Sequence, residues 1–303
     1  MYMRGSGNDR CIFVTMLAKE GLGNQLFTIA AGLIAHNKTG LPLCVIPSST
    51  NPHSTIDYRA LFQVPSKVRI VEEANAAPRK VAANSILTII DAQATAKWSN
   101  TNIKYNATSV KNAKMPERLY QNYLAVKSVI PAIKNMLMAN EFSKKPEYRK
   151  LEEETPTGSA FIHVRRGDYV GTGWSLEADY YLRGLDILTK DKNIKTVWVI
   201  SNDMEWCKTI DWESNTTAQI KFYDSKSELE VLYKMLLCTA GAVISASTFS
   251  AWGAMMGADM NLTSTIVYPL NWLTHDADGD NPLDFPERWV GIPNTVATTT
   301  AAA

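Results

Sequence analysis

The stretch that decides the fold is Ser159–Ser201, which reads SAFIHVRRGDYVGTGWSLEADYYLRGLDILTKDKNIKTVWVIS. Its apolar run over 159–164 predicts a buried strand, and the helical spacing of apolar residues over Ala178–Thr189 predicts a helix. A second strand-like run follows at Thr196–Ser201. Two parallel strands joined by a helix form a βαβ unit.

The same alternation continues toward the C-terminus. Further strands are predicted at Gln219–Tyr223, Ala242–Ser245 and Thr265–Tyr268, and further helices at Glu205–Ile210, Ser227–Thr239 and Phe249–Gly257. Strands that alternate with helices indicate a parallel, doubly wound α/β sheet.

A shorter pattern of the same kind opens the chain. An apolar run at Cys11–Leu17 is followed by apolar residues at helical spacing from Leu26 to Ile34, and then by a strand-like run at Pro42–Ile46. The charged segment Pro146–Gly158 resembles a linker. We therefore predict Rossmann-like domains over residues 1–155 and 156–275, and a C-terminal segment over 276–303 that ends in a disordered Thr/Ala tail.

Composition excludes several classes of protein. The chain has 303 residues, 46% of them hydrophobic and 20% charged, which is typical of a globular protein. A net charge of +1 gives no support to nucleic-acid binding. No apolar run reaches the roughly 18–20 residues that span a bilayer. The four cysteines form no C-x-x-C pair, which favours free thiols and, with no signal peptide, a soluble cytoplasmic protein.

Polar side chains follow four of the predicted strands of the second half. They are Arg165, Arg166 and Asp168, then Asn202 and Asp203, then Asp224, and then Ser247, Thr248, Phe249 and Ser250. In an open α/β sheet, ligands bind at the carboxyl ends of the strands. Four polar strand ends therefore predict a ligand crevice.

The arginine pair indicates the kind of ligand. A guanidinium group can bind a phosphate with two parallel hydrogen bonds, although a salt bridge to Asp168 would explain Arg165 and Arg166 equally well. The segment 247–250 lies where a helix should begin, and a helix N-terminus attracts anions. Its hydroxyls could also cap that helix. Beside two arginines, they favour a diphosphate site.

Two other segments give weaker signals. Gly21, Gly23, Asn24 and Gln25 form a glycine loop that could approach a ligand or could be a structural turn, and it matches neither the dinucleotide fingerprint nor the P-loop. The loop 275–280 has several Asp residues at calcium-loop spacing, but Asn281 stands where the turn glycine is required. We interpret it as a solvated acidic loop and predict no metal site.

Five motifs in order resemble the α-1,2-fucosyltransferase family, glycosyltransferase family 11. They are GLGNQLF at 21–27, HVRRGDY at 163–169, SNDMEWC at 201–207, SASTFSAW at 245–252 and FPERW at 285–289. The resemblance implies a GT-B-like architecture, with two Rossmann-like domains that face each other across a cleft. It also implies inverting transfer of fucose from GDP-fucose to a glycan hydroxyl, without an essential metal or a further cofactor.

The resemblance also implies roles for single residues. Arg165 would neutralise the β-phosphate as the bond to fucose breaks, with Arg166 in support and His163 and Asp168 orienting both. Ser247, Thr248 and Phe249 would hold the diphosphate, Glu230 would contact guanine, and Asn24 would reach the donor from the first domain. A base for the acceptor hydroxyl is expected. Asp57 and Glu20 are the candidates.

We therefore predict a glycosyltransferase that takes a nucleotide-sugar donor and a glycan acceptor, with galactose O2 as the expected position. Three alternatives stay open at this point. They are another nucleotide-sugar donor in the same site, a metal-dependent transferase that uses the acidic loop, and an inactive module that binds nucleotide or glycan.

Overall fold

A computed structural model describes most of the second half of the chain and parts of the first. The described residues are 11–16, 20–46, 120–190, 193–272 and 283–293, together with the short strand segments 68–70, 88–89, 103–104 and 112–114. The chain divides into two compact units, Met1–Lys145 and Pro146–Ala303. Asp57, the acidic loop 275–280 and the Thr/Ala tail lie outside the described residues.

The first unit contains the predicted strand–helix–strand start. Its elements are β1 (Cys11–Thr15), α1 (Leu22–Thr39), β2 (Leu43–Ile46), β3 (Val68–Ile70), β4 (Thr88–Ile89), β5 (Ile103–Lys104), β6 (Asn112–Lys114), α2 (Tyr123–Val126) and α3 (Ile130–Leu137). A parallel sheet has the strand order β3-β2-β1-β6, and β4 and β5 form a separate antiparallel pair. Helix α1 ends at Gly40, whose φ of 70° gives the left-handed C-cap that favours glycine.

The second unit is the predicted doubly wound sheet. Its elements are α4 (Pro146–Glu153), β7 (Ser159–Val164), α5 (Ala178–Thr189), β8 (Thr196–Ser201), α6 (Met204–Lys208), β9 (Gln219–Tyr223), α7 (Glu228–Leu237), β10 (Gly241–Val243), α8 (Thr248–Met256), β11 (Thr265–Pro269) and β12 (Val290–Ile292). All six strands are parallel, in the order β12-β11-β10-β7-β8-β9.

The order of strands in this sheet reverses next to β7. From β7 the chain adds β8 and β9 on one side, and then returns to add β10, β11 and β12 on the other side. The boundary between β7 and β10 is therefore the topological switch point, and the crevice at its carboxyl end is where such sheets bind ligands.

A helix replaces most of the predicted linker. Helix α4 buries Tyr148 and Leu151, which are three residues apart and share one face. Tyr148 packs edge-on against Tyr233, with 5.2 Å between the ring centroids. The charged residues that led to the prediction of a linker lie on the exposed side of an amphipathic helix. The units accordingly divide before Pro146, earlier than the predicted boundary at 155.

The cysteines are not all free thiols. Cys207 and Cys238 are free and buried, as the sequence predicts. Cys44 is disulfide-bonded, so the prediction is wrong for this residue. The absence of a C-x-x-C pair does not exclude a bridge between cysteines that are far apart in the sequence.

The longest of the described helices, α1, has 18 residues, and it buries an apolar face while His36 and Lys38 occupy its last turn. Among the described residues, none of the helices has both the length and the apolar character that a bilayer crossing needs.

Gly241 should be essential for the packing of β10. A Cβ atom at this position would lie 2.7 Å from the carbonyl oxygen of Thr265 on the neighbouring strand β11. We expect Gly241→Ala to lower the free energy of unfolding by about 1–3 kcal/mol, because the backbone would have to shift. Gly171→Ala is the control, since nothing lies within 4 Å of its Cβ position. Equal unfolding midpoints in urea for both variants would contradict this account.

Candidate functional site

The parallel pairing of β7 brings three polar loops to one edge of the sheet. Ile162 pairs with Val243 on β10, and Val164 pairs with Ser201 on β8. Residues 165–168, 202–203 and 245–250 follow directly from these strands, so they emerge together. The pairing therefore joins three of the four predicted polar strand ends into one site at the switch point.

Arg165 lies at the open side of this site. Its side chain is 35% exposed, and its Nη2 atom lies 2.7 Å from Oδ1 of Asp168, which is itself exposed. Its guanidinium carbon lies 5.3 Å from the ring centroid of Tyr169. An exposed ion pair contributes about 0–1 kcal/mol, so an incoming anion can displace Asp168 from Arg165.

Arg166 is fixed much more firmly than Arg165. Its side chain is only 14% exposed, and its Nε donates to Oδ2 of Asp203 over 3.1 Å. Its guanidinium carbon lies 4.0 Å from the ring centroid of Trp206, and its backbone N–H donates to Oδ1 of Asn202. These contacts join the loops after β7 and β8. They give Arg166 a positioning role. In the same contacts, Asn202 and Asp203 use one side-chain oxygen each to hold Arg166.

Gly167 is required by this same junction. Its φ of +35° lies in the left-handed region, and a Cβ atom would overlap the side-chain amide of Asn202. The contact explains why a glycine follows the arginine pair.

His163 joins β7 to the loop after β10. Its Nδ1 lies 3.0 Å from Oγ of Ser245, and its ring packs edge-on against Phe249 at 5.9 Å. Oγ of Ser250 lies 3.4 Å from that of Ser245 and donates to the carbonyl oxygen of Ser247 over 2.9 Å. The expectation that His163 orients the arginines is not met by any hydrogen bond in the described residues. Asp168, by contrast, does form an ion pair with Arg165.

The environment of His163 keeps its imidazole neutral. Complete burial, together with the charge of Arg165, lowers the pKa of His163 from 6.5 to about 3. A neutral ring at physiological pH cannot serve as a fixed positive charge for phosphate. The ring instead connects the end of β7 to the loop after β10 through its hydrogen bond with Ser245.

The N-terminus of α8 faces the same edge. Ser247 occupies the N-cap position and is buried, yet its hydroxyl makes no capping hydrogen bond. Thr248 and Phe249 are half-buried, while Ser250 is fully buried and its hydroxyl is bonded within the loop. Ser247 therefore does not act as a side-chain cap, and the first turn of a nine-residue helix is directed at the site.

The end of β9 supplies the outer part of the site. Asp224 is exposed, and Glu230 is half-buried on the first turn of α7. Its Oε2 accepts from Oγ of Ser225 over 2.8 Å and from the hydroxyl of Tyr223 at 3.4 Å. Among the described residues, its Oε1 accepts no hydrogen bond. Sequence analysis missed Ser225 and Tyr223, since neither belongs to a charged or glycine-rich pattern.

The glycine segment of the first unit is helical rather than a loop. Gly21 is the N-cap of α1 with a φ of −68°, and Gly23, Asn24 and Gln25 lie in its first turn. Asn24 donates through Nδ2 to the carboxylate of Glu20 and accepts through Oδ1 from Gln121 over 2.8 Å. Gln25 is fully buried and donates to the carbonyl oxygen of Glu20 over 3.4 Å. These side chains organise the start of α1.

The described part of the chain contains no group of three His, Cys, Asp or Glu residues that could hold a metal ion. The acidic loop 275–280 lies outside the described residues, while Glu287, which continues its calcium-loop spacing, is described and exposed.

The burial of His163 should appear in the pH dependence of stability. Its pKa is lower in the folded chain than the 6.5 of an unfolded chain, so stability is full above pH 6.5 and is lost as the pH falls toward 3. At pH 5 the loss amounts to about 2 kcal/mol. We expect His163→Asn to remove this part of the difference between unfolding free energies measured at pH 7.5 and pH 5. An unchanged difference would show that His163 is not buried as a neutral ring.

Comparison with known sequences gives a family match and a relative, each over about half of the chain. Residues 146–292 match the family model of Glycosyl transferase family 11. An alpha-1,2-colitosyltransferase from Escherichia coli is 30% identical over 145 residues, which cover 45% of this chain and 48% of that protein. The match thus spans about half the length of that relative.

Comparison with solved structures covers most of the chain. The apo crystal structure of POFUT1 has a TM-score of 0.53 at 12% identity, over 88% of this chain and 99% of that chain. The crystal structure of NodZ alpha-1,6-fucosyltransferase soaked with GDP-fucose has a TM-score of 0.50 at 12% identity, over 82% and 93%. These likenesses concern the fold, and they confirm the predicted α/β, GT-B-like class. Through residues 146–292, the second unit is similar to glycosyltransferase family 11.

Proposed function

We propose that this protein is an inverting, metal-independent glycosyltransferase that moves L-fucose from GDP-fucose to a sugar hydroxyl of a glycan. The observation that carries the proposal is that Arg165 and the N-terminus of α8 both follow strands that meet at the switch point, β7 and β10. A weakly held, half-exposed guanidinium and a set of helix N-terminal amides together suit the two phosphates of a nucleotide-sugar.

The reaction follows from this placement. The bond between the anomeric carbon and the β-phosphate oxygen breaks, and its electron pair leaves on GDP. The acceptor oxygen bonds to the opposite face of the anomeric carbon and gives up its proton. Arg165 and the amides of 248–249 stabilise the charge that develops on the leaving diphosphate. Preorganised donors help most where charge develops in the transition state.

The acceptor proton needs a destination. Glu20 is half-buried, and its carboxylate accepts a hydrogen bond from Asn24, which in turn is held by Gln121. We propose Glu20 and Asp57 as the two candidates for the base. Asn24 then acts by holding Glu20 within its own unit. Galactose O2 is the proposed acceptor position.

A second donor sugar has a specific observation in its favour. The Escherichia coli relative is a colitosyltransferase that is 30% identical over 145 aligned residues. The same diphosphate site would serve a GDP-linked colitose, because the phosphates and the base are unchanged. The donor sugar therefore has to be determined by assay.

Arg165 should be required for turnover. We expect Arg165→Ala to reduce kcat by about 10²–10³-fold, the effect of removing one donor to a developing negative charge. Arg165→Lys should recover part of this loss, because it restores the charge without the planar fork. Arg149→Ala, at an exposed position on α4, is the control and should leave kcat unchanged. Near-normal transfer by Arg165→Ala would refute the assigned role.

Mass spectrometry of products tests the reaction itself. The purified protein is incubated with GDP-fucose, GDP-colitose or UDP-galactose and a mixture of galactoside acceptors, with and without EDTA. The proposal predicts transfer of fucose that EDTA leaves unchanged. Transfer of colitose alone would establish the second donor, and loss of activity with EDTA would refute the metal-free mechanism. Donor binding without any product would identify an inactive binding module.

A further inference from the structure

A buried lysine lies behind the base end of the proposed donor site. Lys234 on α7 is fully buried, and its Nζ donates to Oγ1 of Thr155 over 2.7 Å. The same Nζ lies 3.3 Å from the ring centroid of Trp198 and 5.4 Å from that of Tyr223. Among the described residues, Lys234 forms no salt bridge with a carboxylate.

A charged ammonium group at this buried position lowers the stability of the fold. Burial lowers the pKa of Lys234 to about 8, against the usual 10.5. Two aromatic faces and one hydroxyl replace only part of the hydration that the cation loses. An apolar side chain of similar length would fill the same space without that cost. Departures of this kind from good packing are expected where a residue serves function.

The contacts of Lys234 lead to Glu230. Tyr223, whose ring faces the ammonium, places its hydroxyl 3.4 Å from Oε2 of Glu230. Lys234 lies one helical turn after Glu230, at the i, i+4 spacing at which opposite charges on a helix attract each other. Ser225 holds the same oxygen from the other side. The carboxylate is thus held through Oε2, and Oε1 is left to a ligand.

We infer that Lys234 is a positioning residue that fixes Tyr223 and Glu230 so that the site selects guanine among nucleotide bases. This inference rests on the proposed function, because it takes the donor to be a GDP-sugar. Guanine presents two N–H donors on one edge, and a carboxylate accepts both in parallel. Adenine presents a ring acceptor in the corresponding place, which a carboxylate repels. A carboxylate that is free to rotate discriminates less, because it loses this fixed geometry.

A helix-capping role for Glu230 is the structural alternative. Ser227 caps α7 by accepting from the N–H of Glu230 over 3.3 Å, and the carboxylate of Glu230 reaches Ser225, whose hydroxyl accepts from the N–H of Ser227. Helix capping explains the hydrogen bonds of Ser225 and Ser227 at the start of α7. It does not explain why a cation is buried one turn further along the helix.

The test measures base selection with calorimetry of GDP and ADP on the full chain. Both nucleotides carry the same diphosphate and a purine, so the ratio of their dissociation constants isolates recognition of the base edge. We expect Lys234→Met to weaken GDP binding about tenfold and to leave ADP binding unchanged. A tenfold change corresponds to the loss of one charged hydrogen bond, here between Glu230 and guanine. The melting temperature of this variant should equal or exceed that of the wild type.

Lys221→Met is the matched control. Lys221 lies 5.3 Å from the same Trp198 ring, on the neighbouring strand and only half-buried. It should keep the wild-type preference for GDP. An equal loss in Lys221→Met, or parallel losses of GDP and ADP binding with a lower melting temperature in Lys234→Met, would overturn the inference and leave a purely structural lysine.

Two further results complete the test. If Lys234→Met does not fold, Thr155→Val removes the hydroxyl that accepts from the ammonium and donates to the carbonyl oxygen of Leu151. It should reduce the preference for GDP in the same direction. An unchanged preference in folded Thr155→Val would overturn the inference. A wild-type protein that binds GDP no more tightly than ADP would instead refute the GDP-sugar donor, before any variant is considered.

Discussion

The site depends on the position of β7 between β8 and β10. This pairing is parallel on both sides, so three loops that are distant in the sequence emerge at one edge of the sheet. The reversal of strand order at the same place leaves a crevice between the loops after β7 and β10. The contacts of Arg166 with Asn202 and Asp203, and that of His163 with Ser245, are consequences of this pairing.

The two adjacent arginines have different physical roles. Arg166 is held by a carboxylate, an indole ring and a backbone bond, so it is already satisfied without a ligand. Within the described residues, Arg165 forms an ion pair only with the exposed Asp168, beside the ring of Tyr169, and this pair leaves it available to an anion. The two arginines are adjacent in the sequence, but they differ in burial: Arg166 is mostly buried and Arg165 is more exposed. His163 belongs to the fixed part, as a neutral strut to Ser245.

Hydrophobic periodicity predicts most of the second sheet, because long buried strands such as 159–164 and 196–201 leave a strong pattern. It fails at α4, where charges on the exposed side hide the buried Tyr148 and Leu151. It also misses the three-residue strand β12, which is too short for a pattern. The site residues at strand ends were predictable from the sheet topology. The contacts of Tyr223, Ser225 and Lys234 were not, because they depend on packing between α7 and the sheet.

A crystal structure of the full chain soaked with GDP tests the central claim most directly. The account predicts that the two phosphates lie between the guanidinium of Arg165 and the backbone amides of residues 248–249, with Asp168 displaced from Arg165. The guanine edge should meet Oε1 of Glu230. A diphosphate bound at any other place, or an Arg165 still paired with Asp168 beside bound GDP, would contradict the account.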